Sequence, residues 1–157
     1  GWSKTYAMTG WRLGYGIWPK HLIDYADRMA VNIHSCVNAP TQHAGIAALT
    51  GDQTCVADML VAFRRRGALI TSLLNGIDKS SCQAPGGAFY AFANISQTGI
   101  AALDFQQMAL ENYGVALIAG TSFGGFGEGY VRISCANSDE AITQACARIE
   151  TLVCEQS

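Results

Sequence analysis

The chain has 157 residues, half of them hydrophobic and 14% charged, with a formal net charge of -2. That balance excludes intrinsic disorder, which needs low hydrophobicity and high net charge. It also excludes a global basic field for gripping nucleic acid or an anionic membrane, and no apolar run approaches the ~20 residues of a membrane span.

The first residue is Gly1, not Met, and no signal-peptide pattern precedes the first motif, so a fragment of a longer protein is expected. Residues 1–18 are rich in Gly, Thr and aromatics and read as loop plus strand. Pro19 suits the first turn of a helix, to which Leu22, Ala26 and Met29 give one apolar face. A turn at residues 36–40 leads into a small-residue helix through Leu49 that stops at Gly51. From Asp52 a longer helix begins. Val56, Met59, Leu60 and Phe63 step at i, i+3, i+4, i+7, and Ile70, Leu73, Leu74 and Ile77 repeat that step beyond Gly67. Its Arg64-Arg65-Arg66 run reads as a solvated face.

After the turn at Ala84-Pro85-Gly86-Gly87, residues 88–92 predict a strand. A helix is predicted from about Ala101 to Tyr113, then a short strand from Val115 to Ile118, then a Gly-rich loop from Gly120 to Gly129. Tyr130 to Ser134 reads as a strand with Tyr130, Arg132 and Ser134 on one face and Val131 and Ile133 on the other. Ser138-Asp139-Glu140 opens a last helix that buries Ile142, Ala145, Cys146, Ile149 and Leu152. The order strand, helices, strand, helix, strand, strand, helix gives an α/β or α+β pattern.

Six cysteines form no C-x-x-C pair, and they read as reduced, buried thiols of a cytoplasmic protein. No metal site is expected, because neither Cys36 with His34 nor any other group shows a ligand set.

Three residues stand out for chemistry. Lys4 lies near Trp2, Tyr6, Met8 and Trp11. An apolar setting favours a neutral lysine amine, which attacks carbonyls, although an ordinary surface lysine fits the composition as well. Arg12 lies between Gly10 and Gly14, where backbone can approach a ligand, and it has no nearby acidic residue in sequence; an anion such as phosphate or a distant carboxylate would satisfy it. Arg132, lone on its strand after a Gly-rich loop, could fork onto a ligand carboxylate or form a structural ion pair. The loop itself lacks the G-K-[ST] of a phosphate-binding loop, and its glycines miss the G-x-G-x-x-G register.

Together these segments resemble the fold-type I pyridoxal-phosphate-dependent aminotransferases, class I/II, aspartate aminotransferase-like. The run from Ser3 to Tyr15 looks like the family's cofactor-attachment signature. Gly86-Gly87-Ala88-Phe89-Tyr90 is similar to its small-domain strand entry, and Gly127 to Ser134 to its substrate-carboxylate motif. The resemblance implies a C-terminal part of such an enzyme: a large-domain remnant over residues 1–51 and a small α/β domain over residues 52–157. It implies that Lys4 is the Schiff-base lysine of pyridoxal 5'-phosphate, that Arg12 and Ser3 contact the cofactor phosphate, and that Arg132 binds the substrate carboxylate. Gly1 stands where the family often has a serine that also contacts phosphate, so that contact is lost or falls to backbone.

The implied activity is transfer of an amino group between an amino acid and a 2-oxo acid. The implied full-length parent is a homodimer that needs neither nucleic acid nor membrane. The residues that stack on the ring, protonate its nitrogen and bond its oxygen have no match here, so low activity is expected of this chain alone. Two other functions share the resemblance: a ligand-sensing, aminotransferase-like effector domain of a transcriptional regulator, and a β-lyase of the same fold.

Overall fold

The computed structural model describes residues 1–156 as two compact units, Gly1–Met59 and Leu60 onward. No single helix among them is long and apolar enough to cross a membrane.

The first unit holds helices α1 (Ile23–His34) and α2 (Ala39–Thr50) and the start of α3 (Thr54–Gly76). Asn38 caps α2 by accepting a hydrogen bond from the Thr41 amide at 3.0 Å, with Pro40 in the first turn where its missing N–H costs nothing. At the other end of α2, the Gly51 amide closes onto the Ala47 carbonyl at 2.8 Å. The strand expected within residues 1–18 does not form. That stretch is a looped segment with a single 3-10 turn at Thr9–Trp11, and Ala7 and Arg12 both take left-handed backbone angles that no strand accommodates. The apolar face expected on α1 is only partly covered: Ala26 is half-buried, but no α1 residue is fully buried and Met29 is 60% exposed.

The second unit is built on a four-stranded, wholly antiparallel sheet in the order β1-β2-β4-β3. Its strands are β1 (Ser81–Cys82), β2 (Tyr90–Asn94), β3 (Ile118–Ala119) and β4 (Tyr130–Ser134). Helices α4 (Ala102–Glu111) and α5 (Asp139–Glu155) complete it with the rest of α3. Period-two alternation sets the sheet's faces. Ala91 pairs with Ile133 and Ala93 with Val131, and all four are buried. They pack with Ile70 and Leu74 of α3, Phe105 of α4, and Ile149 and Leu152 of α5 in one core. The opposite face carries Tyr90, Phe92, Tyr130 and Arg132.

Local chemistry explains where the elements depart from the sequence pattern. The predicted strand at 88–92 begins only at Tyr90, because Ala88 has φ 59°, in the left-handed region. Val115 and Leu117 are buried as a strand pattern implies, yet only Ile118 and Ala119 join the ladder, where the Gln106 side chain also accepts from the Ala119 amide at 2.7 Å. The pattern does not show β1 at all. This two-residue strand is held by Asn75, whose amide side chain accepts from the Cys82 N–H at 2.8 Å and donates to the Cys82 carbonyl at 2.9 Å. The Gly-rich loop folds into two 3-10 turns, Gly120–Phe123 and Gly125–Gly127. Here Gly120 and Gly127 touch backbone to backbone, so a Cβ on either would run into the other's carbonyl.

Three cysteines, Cys82, Cys135 and Cys146, are buried; Cys36, Cys55 and Cys154 are exposed, against the expectation that all six lie inside. The exposed three sit on a turn and on outer helix positions, which the apolar composition around them concealed. The arginine run is also more than a solvated face. Arg65 Nε lies 3.0 Å from Asp139 and Arg66 Nε 3.2 Å from it, while Arg64 has no such pairing among the described residues.

Candidate functional site

The candidate residues expected from sequence fall into two sets, one in each unit.

In the first unit, residues 2–13 form a loop closed at its base by the Trp2 amide donating to the Leu13 carbonyl at 3.4 Å. Trp2 anchors it to α2, its indole N–H donating to the Gly45 carbonyl at 3.0 Å, and its ring meets Tyr15 edge-on at 5.4 Å. Within the loop the Thr9 hydroxyl donates to the Ser3 carbonyl at 2.8 Å, and Arg12 Nη1 donates to the Thr9 carbonyl at 3.0 Å. Ser3, Thr9 and Arg12 are thereby linked in series. Arg12 holds φ 54° and ψ 46°, a conformation unfavourable for a residue with a Cβ. Strain of this kind clusters at ligand sites.

The guanidinium is exposed, and no carboxylate pairs with it among the described residues. Of the two partners open to it in sequence, a distant carboxylate is therefore not present. Arg12 lines a cleft of about 590 Å³ together with Gly10, Trp11, His34 and Asn38. Lys4 stands in the first turn of the same loop, outside the lining of that cleft. It is exposed, which fits the surface-lysine alternative rather than the apolar setting: Met8 is the loop's buried side chain, while Trp11 is 49% exposed.

In the second unit Arg132 sits on β4, which is flanked by β2 and β3 and pinned by buried Val131 and Ile133. Its guanidinium carbon lies 4.3 Å from the centroid of the Tyr90 ring and 4.4 Å from that of Phe123. No ion pair holds it among the described residues, so the structural ion pair left open by the sequence is absent.

Sequence reasoning placed Arg132 on the correct strand face but missed Phe123 as its neighbour, since nothing in a glycine-rich run signals which way a loop aromatic folds. It also missed Glu128. Its carboxylate accepts from the Ala102 amide at 2.8 Å and the Gly129 amide at 3.1 Å, capping α4, whose own N-cap residue, Ala101, has no side-chain acceptor.

The family model described as aminotransferase class I and II matches residues 1–149. The chain belongs to the class I and II aminotransferase family.

An aspartate aminotransferase of Pyrococcus horikoshii is 39% identical over 150 residues, covering 94% of this chain and 38% of its own length. An aspartate/prephenate aminotransferase of Nitrosomonas europaea is 39% identical over 163 residues, covering 96% of this chain and 40% of its own. The crystal structure of an aromatic aminotransferase from Pyrococcus horikoshii superposes with a TM-score of 0.94 at 36% identity, covering 99% of this chain and 42% of that one. The chain thus spans about two-fifths of the length of the aminotransferases it matches. The expected fold, an α/β part of an aminotransferase of this class, agrees with these neighbours.

The class is pyridoxal-phosphate-dependent, and the residues present fit two ends of that cofactor. Arg12 has N–H donors left over for a phosphate, and Lys4, an exposed residue of the same loop, is of the type whose amine condenses with an aldehyde.

Proposed function

We propose that these residues serve a pyridoxal-phosphate-dependent transaminase that moves an amino group between an amino acid and a 2-oxo acid. One observation carries the proposal: a loop of the cofactor-attachment pattern holds both an exposed Lys4 and a strained Arg12 that has no carboxylate partner among the described residues. The order of the motifs and the similarity to named aspartate and aromatic aminotransferases support it.

Each residue has a role that its surroundings suit. Arg12 binds the cofactor phosphate through a charge-assisted fork, and Ser3, whose carbonyl is tied to Arg12 through Thr9, adds its hydroxyl to the same phosphate. Lys4 Nζ is both the amine that carries the cofactor and the base that moves the proton of the substrate Cα. When bound, the cofactor ring supplies an electron sink for the charge released at that carbon. Arg132 takes the substrate carboxylate through its N–H fork.

The small-domain part runs from residue 52, the large-domain remnant up to residue 51. The working enzyme is a homodimer in the cytoplasm. Free thiols suit a reducing compartment. Apolar side chains such as Ile17 at 90% and Ile33 at 71% exposure suit a surface that other protein covers.

The test is product analysis at stoichiometric protein, with pyridoxal phosphate, an amino acid and a second 2-oxo acid. Appearance of the second amino acid, lost in Lys4→Ala, is expected. Ammonia released with no new amino acid would contradict a transaminase.

A further inference from the structure

We infer that Tyr90 and Phe123 are positioning residues for Arg132: their rings hold the guanidinium by its π-faces and leave its N–H donors free for a carboxylate. The inference rests on the assignment of Arg132 as the carboxylate-binding residue proposed above, and it adds what makes that residue ready to bind.

A protein can fix an arginine in two ways. An ion pair or carbonyl contact fixes it by consuming the N–H fork that a ligand would need. An aromatic face attracts the cation through the ring quadrupole and consumes no donor. Arg132 is fixed the second way. Tyr90 reaches it diagonally across the ladder, because Phe92 is the residue directly opposite Arg132 and Tyr90 lies two positions away on the same face. Phe123 reaches it from the 3-10 turn that follows β3. Neither hydrogen bond nor ion pair engages the guanidinium among the described residues.

Phe123 is 53% exposed and Phe92 40%, so neither is placed there by the core. Each is placed by its neighbours instead. Phe92 stacks on Tyr130 at 5.1 Å with 9° between ring planes and meets Phe123 edge-on at 6.4 Å. Tyr130, Phe92 and Phe123 form a wall whose last ring lies against the cation. Freezing a long arginine side chain before the ligand arrives removes an ordering cost that binding would otherwise bear.

The experiment follows the arginine Nε–Hε signals of the 157-residue chain by NMR, with Arg132 assigned from Arg132→Lys, while sodium pyruvate is titrated in. The Arg132 signal is expected to lie displaced by ring currents and to move as pyruvate binds. Phe123→Leu and Tyr90→Leu should each weaken pyruvate binding roughly 5-fold, the size of one exposed cation–π contact, whereas Phe123→Tyr and Tyr90→Phe should bind as the parent does. Phe123 lies outside the core, so Phe123→Leu leaves the fold intact, and the backbone amide signals of β2 and β4 confirm this for each variant.

If both leucine variants bind pyruvate as the parent does, the positioning role is overturned while Arg132 stands as a carboxylate site. If pyruvate moves other signals or none, but not that of Arg132, the carboxylate assignment fails and the positioning role with it.

Discussion

Arg65 and Asp139 meet at 3.0 Å, with Arg66 on the same carboxylate at 3.2 Å, and together they tie the middle of α3 to the first residue of α5. Two guanidinium groups on one carboxylate, at a helix N-terminus that favours negative charge, stabilise its ionised form. The hydrogen bond from Arg65 is the largest cause that holds the Asp139 carboxyl below its usual range, with that from Arg66 adding to it.

A carboxyl whose pKa is lowered on folding stabilises the fold above its unfolded value of about 3.9 and loses that contribution as pH falls through the folded value. Thermal melts of the parent and Asp139→Asn should therefore differ at pH 7 and converge as the pH drops below about 3.9. Arg65 is 63% exposed, so the difference at pH 7 should also shrink in molar salt. A gap between the two proteins that persists at pH 2.5 would show that Asp139 acts through something other than its charge.

The same helix start offers a second test. Ser138 accepts from the Ala141 amide at 3.2 Å as the N-cap of α5, a helix that supplies five buried residues to the core. Ser138→Ala should cost about 1 kcal/mol by urea unfolding, and Ser138→Asp, which keeps an acceptor there, should cost little.

Much of this framework could be read from the chain. The cap at Ser138, the alternation from Tyr130 to Ser134 and the buried stripe of α5 are local signals, and local signals survive folding. Several misses are cases in which a distant group decided the outcome, beside those set by left-handed backbone at Ala7, Arg12 and Ala88. Asn75 makes β1 from two residues seven positions away, Glu128 caps a helix 26 positions before it, and Asp139 recruits arginines more than 70 positions back. For the candidate site, residue type and setting singled out Lys4, Arg12 and Arg132 beside plainer alternatives, and the roles proposed for them come from the resemblance of the motifs around them. Neither the left-handed backbone at Arg12 nor the Phe123 ring beside Arg132 leaves a mark on periodicity.

The contact between Gly120 and Gly127 predicts an asymmetry inside one loop. Gly127→Ala forces a methyl into the Gly120 carbonyl and should lower stability by about 2 kcal/mol, as overpacking does. Gly125 has nothing within 4 Å of a Cβ, so Gly125→Ala should change stability by no more than about 0.5 kcal/mol. Equal effects in paired denaturation curves would contradict the close approach.

The thiols should divide by burial. Desolvation raises the thiol pKa at Cys82 and Cys135 and takes Cys146 to about 11. A disulfide reagent at pH 8 should titrate three thiols quickly, Cys36, Cys55 and Cys154, and reach the other three only on unfolding. Mass mapping of the fast-labelled sites checks this, and early labelling of Cys146 would contradict the core packing around α5.

The most direct test of the site is to mix the chain with pyridoxal phosphate, reduce with borohydride, and map the modified lysine by mass spectrometry. With Lys4, Lys20 and Lys79 as the lysines present, selective labelling at Lys4 that falls off in Arg12→Ala is the predicted result. Labelling spread across all three and indifferent to Arg12→Ala would contradict a cofactor site built on the Ser3–Arg12 loop.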